Sequence, residues 1–105
     1  SLLLSEDAEN RVITETTNVW SKYQSSKSVL VATEAQLKAA EIANEGITLE
    51  YDSGNTRTTL ELIQSRSLLL DSRIAFAKAE RDFMISKFEL AFQLGTLSSS
   101  SINSL

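Results

Sequence analysis

The side chains available for chemistry in this sequence are hydroxyls, lysines, arginines and carboxylates, because its 105 residues include no Cys and no His. That composition removes disulfides, thiolate and imidazole metal ligands, a cysteine nucleophile and a histidine general base. The remaining serines, lysines and carboxylates are scattered along stretches that read as helix, with no pocket to gather them. The expectation is a protein that is not an enzyme, with no catalytic residues, no metal and no cofactor. The densest polar group is Tyr51-Asp52-Ser53-Gly54-Asn55-Thr56-Arg57, followed by Glu61 and Gln64. Hydrogen bonding and charge pairing are the chemistry open to such a group. A net charge of -4 with no basic stripe leaves phosphates unneutralised, so nucleic acid is not an expected partner.

Two elements must hold that group in place. Pro is absent and there are 3 Gly, so few and long helices are expected. Before the polar group, two series recur every seven residues: Val12, Val19, Ser26, Thr33, Ala40, Ile47, and Thr16, Tyr23, Leu30, Leu37, Asn44, Tyr51. Alternating steps of four and three keep them on one face, the coiled-coil pattern, softened by Ser26, Thr33 and Asn44. Asp7 with Arg11 and Glu34 with Lys38 are favourably oriented pairs on the outer surface. The spacing predicts a first helix over about residues 6–51 and a turn over 52–58, where Gly54 and Asn55 accept positive φ. Thr58 and Glu61 read as a capping box for a second helix over about 59–94. Gly95 is expected to stop it in the left-handed conformation, leaving a flexible tail at 98–105. The fold class is all-α: an antiparallel two-helix coiled-coil hairpin over 1–105. No apolar run approaches the roughly 20 residues of a membrane-spanning helix.

The second helix carries two apolar stripes. One is Ile63, Leu70, Ala77, Met84 and Ala91, joined by Leu60, Ile74 and Phe88. The other is Leu62, Leu69, Phe76, Phe83 and Leu90, flanked by the small residues Ser65, Ser72, Ala79 and Ser86. Between them runs a charged line, Arg66, Arg73, Glu80 and Lys87. A lone hairpin covers one stripe, and each large side chain left in water forgoes roughly 1.5–3 kcal/mol. The helix therefore calls for a neighbour on each side, as in a wall of helices. The Leu62, Leu69, Phe76, Phe83, Leu90 stripe is expected to be the one left for another molecule, an oligomer seam.

On these residues the chain resembles the TolC family of outer membrane efflux proteins, from about Asn10 to Leu97. The run from Tyr51 through Gly54, Arg57 and Glu61 to Leu62 is similar to that family's hairpin turn. Leu70-Asp71-Ser72-Arg73, the stretch from Ala77 to Phe83, and Gln93-Leu94-Gly95-Thr96-Leu97 are similar to the helix that follows it. The resemblance implies a fragment of a hollow periplasmic α-barrel, assembled as a trimer and continued by a membrane β-barrel that this chain lacks. It implies a role in efflux or type I secretion, in the periplasmic part of a Gram-negative outer membrane protein. The implied partners are other protomers, a periplasmic adaptor protein and an inner-membrane pump. The turn would be the periplasmic entrance, with Tyr51, Gly54, Arg57, Glu61 and Gln64 as its gate residues. Tyr51 and Arg57 match positions that tie neighbouring hairpins shut, and Glu61 matches a carboxylate lining the entrance. The sequence departs from the family where Gln64 replaces an acidic residue and where Asn55 is inserted.

Each of these residues also has a plainer reading. Glu61 is a capping-box partner, Tyr51 covers the end of the seam, and Arg57 is solvated surface. Two other functions fit a helical hairpin. One is the α-hairpin of a periplasmic membrane-fusion adaptor, whose tip pattern requires Ser where Ala77 follows Arg66 and Leu70. The other is a generic coiled-coil oligomerisation scaffold, which needs a single seam.

Overall fold

The structure, a computed structural model, describes residues 2–54 and 56–103, with side chains for 5–54 and 56–99. Two helices make it up: α1, Leu2–Asp52, and α2, Thr59–Asn103, of 51 and 45 residues. No strand occurs among the described residues. The helices pack as an antiparallel hairpin. Thr16, Thr17, Thr33, Ser72 and Thr96 each donate to the carbonyl four residues back, so their hydroxyls do not compete with the helix ladder.

The chain divides into two compact units, one of residues 28–81 and one of residues 1–27 with 82–105. In the unit that holds the turn, Leu30, Thr33, Leu37, Ala40, Asn44, Ile47 and Tyr51 are the covered positions of α1, apart from the half-buried Thr48. Their partners on α2 include Leu62, Ser65, Leu69, Ser72, Phe76 and Ala79. Large and small residues alternate there, so bulky side chains fit between close-approaching backbones. Asn44 Nδ2 donates to Ser65 Oγ at 3.1 Å, which fixes the register of the pair.

The other unit repeats the scheme with Thr16, Val19, Tyr23 and Ser26 against Phe83, Ser86, Leu90, Gln93 and Leu97. Ser86 is 1% exposed, and its hydroxyl lies 2.7 Å from that of Ser26. Each hydroxyl also reaches a main-chain carbonyl, Tyr23 O for Ser26 and Phe83 O for Ser86. One proton therefore crosses the seam while the other goes to a carbonyl. Gln93 donates to Thr16, Tyr23 stacks on Phe83 with centroids 5.5 Å apart, and Lys22 pairs with Glu89 at 3.0 Å.

Two expectations need correction. The stripe Leu62, Leu69, Phe76, Phe83, Leu90 does not face outward: it is the hairpin's own seam, with Leu62 and Leu69 buried. The exposed stripe is the other one, Leu60, Ile63, Leu70 and Ile74 in one unit and Met84 and Phe88 in the other. The small residues decide which stripe turns inward. Ser65 and Ser86 let α1 approach and hydrogen-bond to it, whereas no such partners flank Ile63 and Leu70. The second correction is the end of α2. The helix passes through Gly95 to Asn103, and Gly95 has no positive φ. The seam continues through Gln93 and Leu97, so the helix still has apolar surface to bury past Leu94 and no reason to stop. Of the expected tail, 98–103 is helical, and 104–105 lie outside the described residues.

Candidate functional site at the hairpin turn

α1 ends because the chain turns left-handed. Gly54 sits at φ 82°, with Ser53 N donating to Leu49 O and Gly54 N to Tyr51 O, both at 3.0 Å. A side chain at Gly54 would meet no neighbour, so backbone conformation alone requires glycine there. Asn55 lies outside the described residues. α2 then begins with a reciprocal capping box: Thr58 N donates to Glu61 Oε2 at 3.2 Å, and Glu61 N to Thr58 Oγ1 at 3.1 Å. Two amides that a helix start would leave unpaired are satisfied in this way.

The side chains expected to form a gate come together within this one hairpin. Half-buried Tyr51 places its hydroxyl 3.2 Å from Thr59 Oγ1, across the turn. Arg57 Nε donates to Glu50 Oε2, and Nη1 lies 3.8 Å from Glu61 Oε2. Its guanidinium is held above the ordinary arginine pKa, chiefly by the Glu50 hydrogen bond and charge and to a smaller extent by Glu61. Gln64 is exposed one turn beyond Glu61. Sequence reasoning missed Glu50. Its signal was its place in the last turn of α1, which the antiparallel register sets opposite the first turn of α2.

These groups hold surfaces together and offer no nucleophile with a base beside it. Among the described residues no group of three or more carboxylates gathers as a metal site, and no helix is long and apolar enough to cross a membrane. Comparison with known proteins adds one likeness. The chain is similar to a bacterial efflux protein. That relative is the outer membrane efflux protein BepC of Brucella suis biovar 1 (strain 1330), 25% identical over 89 residues. The match takes in 85% of this chain but 19% of BepC, so the chain spans about a fifth of its relative's length. No protein-family profile matches the chain, and no solved structure does.

Proposed function

We propose that this chain is a periplasmic helical hairpin of a TolC-type outer membrane channel for efflux or type I secretion. In this reading it performs no chemistry of its own. It forms one piece of the wall of a trimeric conduit, and its turn stands at the periplasmic entrance that meets an adaptor and an inner-membrane pump. Tyr51, Gly54, Arg57, Glu61 and Gln64 belong to that entrance.

The observation that carries the reading is the second apolar stripe of α2. With Leu62, Leu69, Phe76 and Phe83 already committed to α1, Leu60 at 62% exposure, Ile63, Leu70 and Phe88 at 70% still lie in water. A soluble hairpin that ended its assembly there would leave several large side chains uncovered, each forgoing roughly 1.5–3 kcal/mol. A conduit of side-by-side helices covers them. The likeness to an efflux protein over most of the chain supports the same reading.

The test belongs in the full-length protein. Ile74→Asp and Phe88→Asp are expected to abolish trimers in crosslinking and native gels while the protein is still made, and Arg66→Gln on the charged line is expected to leave trimers intact. Trimers that persist with both aspartates in place would overturn the reading.

A further inference from the structure

The turn contains a like-charged pair held under one cation. Glu50 and Glu61 stand four heptads along their helices from Lys22 and Glu89, which form an ion pair across the seam. At the turn the same facing positions carry two carboxylates. Like charges placed opposite each other across a helix pair repel. Glu61 is not free to swing away, because its Oε2 accepts the Thr58 amide in the capping box. The last turn of α1 also holds no basic residue, so Glu50 and Asp52 meet the negative end of the helix dipole without a cation on their own element. Arg57, from the loop, reaches both carboxylates at once.

We infer that Arg57 is a latch: while its guanidinium lies between Glu50 and Glu61 it holds the two helix ends together, and its withdrawal leaves facing carboxylates that drive them apart. An acidic group on another molecule that captured Arg57 would therefore release the hairpin tip as well as gain an ion pair. The latch is internal to the chain and goes beyond the channel reading without depending on it. A simple surface ion pair and a latch differ in what happens after the cation is removed. For a simple pair nothing remains to relieve; for a latch, removing one carboxylate as well relieves the repulsion.

Amide hydrogen exchange on the 105-residue chain separates the two. The reporters are Ser53 N, bonded to Leu49 O, and Leu62 N, bonded to Thr58 O, with seam amides near Leu69 as reference. Arg57→Ala is expected to speed exchange at the reporters roughly three- to ten-fold, and added salt should shrink that effect. Adding Glu50→Gln to Arg57→Ala should bring exchange back to within about two-fold of the parent. Arg57→Lys, which keeps the charge without the fork, should fall between parent and alanine. Exchange unchanged by Arg57→Ala, or a double variant exchanging as fast as Arg57→Ala alone, would overturn the latch. Either result leaves the trimer test untouched, so the two readings fail separately.

Discussion

Ser86 shows how a single residue sets the hairpin's geometry. At 1% exposure it has no room to grow, and its hydroxyl bonds across the seam to Ser26. Ser86→Ala deletes one oxygen and leaves Ser26 its own bond to Tyr23 O, so the loss is expected near 0.5–1 kcal/mol, about the net worth of one neutral hydrogen bond. Ser86→Leu adds volume to a filled site and is expected to cost about 1–3 kcal/mol, against the intuition that a coiled-coil seam prefers leucine. Urea unfolding read by fluorescence checks both, since Trp20 is the sole tryptophan and stacks near Tyr23 in the same unit. Leucine unfolding at higher urea than serine would show that the seam has slack there. The same small, bonded hydroxyls explain why the stripe flanked by serines turned inward. Their number and spacing were visible in the sequence; that they outweigh the bulk of Ile63 and Leu70 followed only from where their partners on α1 lie.

For the elements, the sequence was most legible where the signal was local and chemical. The break at Gly54, the Thr58–Glu61 box and the period-seven face of α1 each follow from the residues that make them. The end of α2 was less legible, because Gly95 is a stop signal only if no seam lies beyond it. Gln93 and Leu97 extend the seam past it, and the helix follows the burial. That gives a test by sign. If Gly95 is helical, as its φ indicates, Gly95→Ala is expected to stabilise the chain by about 0.5–1 kcal/mol, because a Cβ there meets nothing and alanine restricts the unfolded chain. Were Gly95 a left-handed cap, the same change would destabilise it by a comparable amount. Thermal unfolding by circular dichroism gives the sign directly. Glu50 was the other illegible point: seven residues and a turn separate it from Arg57, and only a fixed register brings them together.

At the scale of the whole molecule, the two stripes of α2 make separable claims about folding and association. The inner stripe is already covered by α1, so Phe83→Asp is expected to loosen the hairpin and lower its helical content. The outer stripe is covered by nothing in this chain, so its cost appears only as association. The isolated chain is expected to self-associate with rising concentration in sedimentation experiments, and its melting temperature to rise with concentration, since association stabilises the folded form by mass action. Ile74→Glu with Phe88→Glu should render it monomeric while helical content is retained, because both side chains are exposed before the change. A parent chain that stays monomeric at high concentration would mean that the outer stripe does not attract its own kind. Glutamates that unfold the chain would mean that the stripe is structural after all. The contrast matters because a hydrophobic stripe is otherwise ambiguous: large apolar residues at heptad spacing look alike in the sequence whether they close a hairpin or wait for a neighbour, and only the small residues beside them tell the two apart.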